Sequence, residues 1–206
     1  MKKGTVAILI AVVLMTSLCC GCGKNSRHDV YREIYKRYSN MDSFYAAATV
    51  TVRSDKTESH YSVRQFYQAP DSFALFVDAP EEVSGSGYIL KNGSYKILSG
   101  FGSDAEFAAK STNGKNVMFI CDFFDEYFKS EESSVQTSGA LSGKTTTLSC
   151  FLPPGSKQLY VQKLEIDSKT FLPLVLETSD INNNPVVTVK YTDFKRNCDI
   201  EKTIFD

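Results

Sequence analysis

The sequence predicts an α+β domain: a curved antiparallel β-sheet with helices packed on its concave face. Apolar residues recur at period two in run after run, separated by brief polar connections, which is the pattern of antiparallel strands. Asn92-Gly93 sits between two such runs, the strongest short-range signal for a hairpin. Two other stretches repeat at helical spacing. The second is apolar around so much of its circumference that a flat neighbour would leave part of it wet, so the sheet must curl around it.

The chain opens with Lys2 and Lys3, an apolar run from Val6 to Met15, and small residues ending at Gly21, the layout of a secretory signal peptide. A bilayer span needs about 20 apolar residues and this run is roughly half that, so a permanent transmembrane helix is the weaker reading. The exit holds Cys19, Cys20 and Cys22. It resembles a bacterial lipobox, in which cleavage falls just before a cysteine that has received a diacylglycerol. Cys22 is the candidate lipidation site because small Gly21 precedes it. Cys19 follows bulky Leu18, and Cys20 follows Cys19 with Ser17 where a leucine is preferred. Cys22 also departs from the pattern, with Cys19 three places before it and Leu18 one place further back. The competing reading is a disulfide or metal clasp, but His28 alone does not complete a zinc set. Two acyl chains suffice for stable attachment, which places the protein on the extracytoplasmic face of a membrane. The expected organisation is a signal peptide over 1–21, a tether over 22–28 and one domain over 29–206.

Removal of residues 1–21 leaves about 185 residues, enough for one domain with a substantial core. The whole chain has 23 basic and 24 acidic residues; without Lys2 and Lys3 the balance is 21 against 24. No basic run stands out, which argues against a nucleic-acid partner. Eleven Tyr and fourteen Phe without Trp, among many Ser and Thr, suit a sheet-rich extracytoplasmic protein. Cys121, Cys150 and Cys198 remain, an odd number that leaves at least one free thiol. They show no metal spacing, and single buried thiols are preferred to a disulfide.

Ser26 and Asp29 have the spacing of a capping box. Beyond them Val30, Tyr31, Ile34, Tyr35, Tyr38 and Met41 share one helical side, opposite Arg32, Glu33, Lys36 and Arg37, to an end near Asn40. Strands follow in "AATVTVR", "HYSVRQFY", the almost wholly apolar "SFALFVD", and "GYILKNGSYKIL". A Gly/Ser/Thr-rich passage from Ser99 to Gly114 reads as a mobile loop. The second helix, "NVMFICDFFDEYFK", is expected to be capped by Asn116. Val117, Ile120, Cys121, Phe124 and Phe128 form its central stripe, widened by Phe119, Phe123 and Tyr127. After a polar link from Ser130 to Gly143 come strands in "KTTTLSCFL", "KQLYVQKLEID", "LPLVLETSD" and "PVVTVKYTDF", with a turn at Asn182-Asn183-Asn184. The total is eight to ten strands and two helices.

The stretch "LEIDSKTFLPLVLETSDINNNPVVTVKYTDFKRN" resembles the tail of the LolA/LolB-like superfamily of lipoprotein carriers, receptors and envelope sensors. The residues concerned are Asp167, Thr170, Leu172, Pro173, Thr192, Asp193 and Phe194, and "NMDSFYAAATVTV" resembles the family's opening. The resemblance implies an unclosed, curved antiparallel barrel with helices plugging its concave side. Within that superfamily the chain is most similar to the clostridial spore germination lipoproteins, in its "GCGK" start, length and single fold-sized domain. That likeness implies a non-catalytic lipoprotein of the developing spore. Its partner would be the N-acetylmuramoyl-L-alanine amidase that prepares cortex peptidoglycan for degradation, which it binds and activates.

No catalytic constellation stands out. Gly-x-Ser-x-Gly, His-Glu-x-x-His and a phosphate-binding glycine loop are absent from the sequence, and "SGSG" at 84–87 lacks the lysine and helix of a P-loop. His28 falls in the tether and His60 beside Glu58 at a strand start; Asp125-Glu126 and Glu131-Glu132 read as solvated faces. No enzyme, cofactor or metal is expected. The leading expectation is a binding lipoprotein, since an open sheet has edges that can pair with a partner or a second copy. The alternative is a lipid carrier or receptor, with Phe119, Phe123, Phe124 and Phe128 lining a cavity between sheet and helices.

Overall fold

The computed structural model describes residues 27–108, 116–140, 143–152 and 157–206. The signal peptide, Cys22, Ser26 of the expected cap and 109–114 of the expected loop lie outside the described residues. Helix α1 spans Arg27–Tyr38 and precedes strands β1 (Ser43–Arg53), β2 (Glu58–Gln68), β3 (Ser72–Ala79), β4 (Gly87–Lys91), β5 (Ser94–Leu98) and β6 (Ala105–Ala108). Helix α2 (Ile120–Lys129) is followed by β7 (Ser134–Ala140), β8 (Gly143–Phe151), β9 (Val161–Asp167), β10 (Pro173–Ser179) and β11 (Pro185–Arg196), then a 3-10 turn at Lys202–Phe205. Among the described residues, eleven strands form one sheet in the order β6-β5-β4-β3-β2-β1-β11-β10-β9-β8-β7. Each half is a simple meander. The antiparallel pair β1–β11 joins the two, and α2 is the crossover between their outer strands.

The strands not anticipated are β6, inside the expected loop, and β7, inside the expected polar link. Both are edge strands. An edge strand needs one neighbour and no strongly apolar face, so its sequence resembles a loop. The Asn92-Gly93 hairpin is as expected: φ is 51° and 73°, and Lys91 lies opposite Ser94.

Helix α1 starts at Arg27 and takes His28 into its first turn, so His28 is helical and not part of a tether. Its stripe is narrower than expected: Val30, Ile34 and Tyr38 are buried, whereas Tyr31 and Tyr35 remain 37% and 49% exposed. Helix α2 starts at Ile120, three residues later than an Asn116 cap implies. The Asn116 carbonyl accepts from the Phe119 N–H, and its side-chain oxygen accepts from the Met118 N–H, so Asn116 organises a turn before the helix. The buried face of α2 centres on Ile120, Phe123, Phe124 and Tyr127, with Cys121 and Phe128 at its margins. Tyr38 stacks on Phe124 with ring centroids 4.0 Å apart, tying the helices together.

The turn into α2 is held by two buried glutamines from opposite halves of the sheet. Gln65 on β2 donates through Nε2 to the Met118 carbonyl, and Gln162 on β9 donates to the Val117 carbonyl, each at 3.0 Å. Four strand spacings separate β2 from β9, about 19 Å on a flat sheet, where side chains stand parallel. They converge on adjacent carbonyls because the sheet curls around α2. Irregularities at Ala47/Ala48, Ser62/Val63 and Thr178/Ser179 supply bends of the kind β-bulges make.

A second apolar cluster lies on the opposite face. Phe66, Ala74 and Ile89 are buried there beside Tyr45, Phe76 and Leu98, and Phe205 of the 3-10 turn closes over them. The sheet is therefore covered on both faces along β1–β5, where the sequence led to cover on one.

Candidate functional site

The sheet ends in two edges. Strand β7, SVQTSGA, pairs with β8 along its whole length and contains neither a charged residue nor a proline, the usual devices that blunt an edge. Strand β6 is four residues long and carries Glu106, which accepts a hydrogen bond from the Ser94 hydroxyl at 2.9 Å. The longer, uncharged β7 edge is the better template for strand addition.

A cleft of about 450 Å³ opens between α1, α2 and the β2–β3 turn. Tyr35, Tyr67, Phe124 and Phe128 wall it, with Asp122 and Asp125 at its rim. Of the four aromatics expected to line a cavity, Phe124 and Phe128 reach this cleft. Phe119 and Phe123 are 0% exposed and packed ring to ring with Phe44, Phe73 and Tyr127. The Tyr67 hydroxyl is pushed up to about 12, first by burial, then by Cys121 and by the Asp122, Asp42 and Asp125 carboxylates. The same burial, with Asp122, holds the Cys121 thiol well above its usual range, so it stays protonated and a poor nucleophile. Among the described residues, none of Cys121, Cys150 and Cys198 is in a disulfide.

One polar chain imitates a catalytic triad. Thr51 Oγ1 lies 3.1 Å from His60 Nδ1, and His60 Nε2 lies 3.2 Å from Glu58 Oε1. The arrangement follows from strand pairing, since Thr51 faces His60 and Arg53 faces Glu58 across β1–β2. Arg53 Nε donates to the same carboxylate at 2.6 Å and competes for it. Thr51 sits mid-strand, where neighbouring backbone N–H groups are committed to the ladder and cannot form an oxyanion hole. His28 Nδ1 is 3.3 Å from Arg32 on the surface of α1. Among the described residues, no group of His, Cys, Asp and Glu is arranged to hold a metal.

The residues that carried the family resemblance gather at one place. Asp167 Oδ1 accepts from the N–H groups of Lys169 and Thr170 and from the Thr170 hydroxyl, closing the β9–β10 turn. Those hydrogen bonds, the Thr170 amide first, hold the Asp167 carboxyl below its usual range. The turn in turn holds α1: Tyr38 Oη donates to the Phe171 carbonyl at 2.6 Å and Arg37 to the Thr170 carbonyl at 3.1 Å. Phe194 stacks on Phe44 in the core, and the Thr192 hydroxyl donates to the Ala47 carbonyl at a β1 irregularity. The β9–β10 turn thus positions α1, while Thr192 and Phe194 tie β11 to β1. The glutamine pair beneath α2 was missed because a lone Gln inside a strand carries no pattern. The cleft was missed because it is assembled from segments distant in sequence.

A family described as sporulation protein YdcC-like matches residues 2–205. Sporulation protein YdcC of Bacillus subtilis (strain 168) is 16% identical over 200 residues, covering 97% of this chain and 59% of that protein. The chain thus spans little more than half the length of this relative. Among solved structures, the GerS lipoprotein in its complex with the CwlD amidase from Clostridioides difficile is 25% identical. That match covers 84% of this chain and 97% of GerS, at a TM-score of 0.51. A LolA superfamily protein from Nitrosomonas europaea is 10% identical over 87% of this chain and 97% of its own, at a TM-score of 0.42. The likeness is to the lipoprotein of that complex and not to the amidase.

Proposed function

For a chain that belongs to the YdcC-like family of sporulation proteins, we propose the role of a lipid-anchored protein of the spore envelope that binds and activates a cortex-modifying N-acetylmuramoyl-L-alanine amidase. The observation that carries this reading is the likeness to GerS across 97% of its chain, in a structure where GerS sits with an amidase. The open sheet supports it physically, because the uncharged β7 edge offers main-chain hydrogen bonds to a partner strand. The same edge can pair two copies of this chain. A diacylglycerol on Cys22 holds the protein at the membrane, five residues before α1 begins.

The carrier alternative draws less support. Most of the aromatic stripe is spent on core packing, the remaining cleft has an acidic rim that disfavours anionic headgroups, and an anchored protein cannot shuttle cargo.

The test is to purify the soluble domain with the cell-wall amidase of the same organism and measure amide cleavage on muropeptide substrate. A stable complex with increased turnover is expected. Failure to associate at micromolar concentrations defeats the reading, and association without stimulation defeats activation. The anchor has its own check: Cys22→Ala leaves the protein unprocessed or releases it from membranes. An unchanged membrane fraction with normal cleavage and no acyl mass on residue 22 refutes it.

A further inference from the structure

We propose that the cleft between α1 and α2 is the docking point for a basic side chain, lysine or arginine, presented by the amidase partner; this rests on the amidase reading above. Four observations converge on it. First, the walls are aromatic: Tyr35, Tyr67 and Phe128 offer ring surface to an aliphatic stem and a cation alike, over buried Phe124. Second, the charge has one sign. Asp122 and Asp125 line the rim and Asp42 is close enough to act on Tyr67; among the described residues no lysine or arginine lines the cleft, and Arg37 and Arg196 reach it only from behind Tyr38.

Third, the cation that does reach the rim is held loosely. Lys129 bonds Asp125 at 2.7 Å from the next turn of α2, but its side chain is 67% exposed. An exposed pair of this kind contributes little, so an incoming guanidinium or ammonium, desolvated against the rings, can displace it. Asp122 accepts the Asn116 N–H at 2.7 Å, which fixes that carboxylate in place before any partner arrives. Fourth, part of the wall is already exposed. Tyr35 is 49% exposed, lies outside the buried core and stands edge-on to Phe128, at the core's margin, with centroids 5.0 Å apart. Aromatic rings around carboxylates select a cation over an anion, which excludes phosphate and carboxylate groups as occupants.

The experiment measures the affinity of the purified amidase for the full soluble domain and for four variants, at low and at physiological salt. Asp125→Lys and Asp125→Asn change the rim, Tyr35→Ala removes a wall, and Asp55→Lys makes the same charge change in the exposed β1–β2 turn. Circular dichroism melts confirm that each is folded. Asp125→Lys is expected to weaken binding about tenfold or more, with Tyr35→Ala and Asp125→Asn following in that order of size. Asp55→Lys is expected to change it less than about twofold, and the wild-type affinity falls as salt rises. Loss in Asp125→Lys no greater than in Asp55→Lys, with Tyr35→Ala unchanged, overturns the cleft as docking point while the amidase reading stands. No binding by the wild type overturns both.

Discussion

The two faces of the sheet are sealed in different ways. On the helix face, residues from both helices and both meanders interlock: Phe123, Phe124 and Tyr127 of α2 share one core with Phe44 on β1, Leu148 on β8 and Val189 on β11. On the opposite face the buried set is Phe66, Ala74, Ile89 and Phe205, confined to one meander and closed by a single 3-10 turn. The first core joins segments from the whole chain, so losing any part of it loosens both meanders. The second is a local seal. Opening it uncovers Tyr45, Phe66 and Phe76 without disturbing how β1 meets β11.

That difference predicts unequal costs. Phe123→Ala deletes a ring that is 0% exposed and walled in on all sides, and it should cost about 3–5 kcal/mol, the usual range for a rigid core site. Phe205→Ala removes the ring that one 3-10 turn lays over the sheet, where the remaining side chains can settle inward, and about 2–3 kcal/mol is expected. Urea unfolding with an unchanged slope reads both. Equal losses would break the comparison and make the rear seal as integral as the helix face.

A smaller effect sharpens the role of the helix face. Gln162 donates to the Val117 carbonyl and, at 2.9 Å, to Thr178 Oγ1, so Gln162→Leu strands two buried acceptors and should cost about 1–3 kcal/mol. Among the described residues the Gln65 side chain makes one hydrogen bond, and its Oε1 is buried without a partner. Gln65→Leu removes that stranded oxygen together with the donor and is expected to cost less than Gln162→Leu. Amide exchange at residues 117–119 should accelerate in both. If Gln65→Leu is the more damaging, the turn is held from β2 and the account of the two glutamines is wrong.

The helix-face core was legible because it repeats. Ile34, Tyr38, Phe124 and Tyr127 fall at helical spacing, and Val50, Val63 and Val189 alternate along strands, so each announces its direction. The rear core had a signal as well. "SFALFVD" is apolar on both parities, and a strand with no polar face is a strand covered on both sides. Phe73, Leu75 and Val77 face the helices while Ala74 and Phe76 face the rear cluster. What sequence could not show was the cover, since "KTIF" is too short for any period. The edges were illegible for the opposite reason: Ala105 and Glu106 on β6, and Ser134, Gln136 and Thr137 on β7, are exposed and carry no apolar alternation. The cleft combines Tyr35, Tyr67 and Phe128 from three separated segments, and the curl of the sheet brings them together.

The rear seal also has a polar latch, and its acid sensitivity separates it from the helix face. Lys91 Nζ donates to Asp206 Oδ1 at 2.7 Å, and Lys96 Nζ donates to the Asp206 carbonyl at 3.0 Å, tying the 3-10 turn to both strands of the β4–β5 hairpin. Hydrogen bonding from Lys91, then its charge, holds the Asp206 carboxyl below its ordinary value of 3.8. A carboxylate depressed in the folded state adds stability that is complete above the unfolded value and lost as pH falls through the folded one. The latch should therefore hold at neutral pH and weaken below 3.8, in the window between the unfolded and folded values. Both partners are solvent-exposed, so the effect belongs to local opening and not to global unfolding. In Lys91→Ala the Asp206 carboxyl should titrate closer to 3.8, and amides of 202–206 should exchange faster at neutral pH while those of β1 and β11 keep their protection. An unmoved titration would mean that the latch is not formed in solution. Exchange rising equally at β11 would mean that the rear seal is no local device and that the two faces open as one.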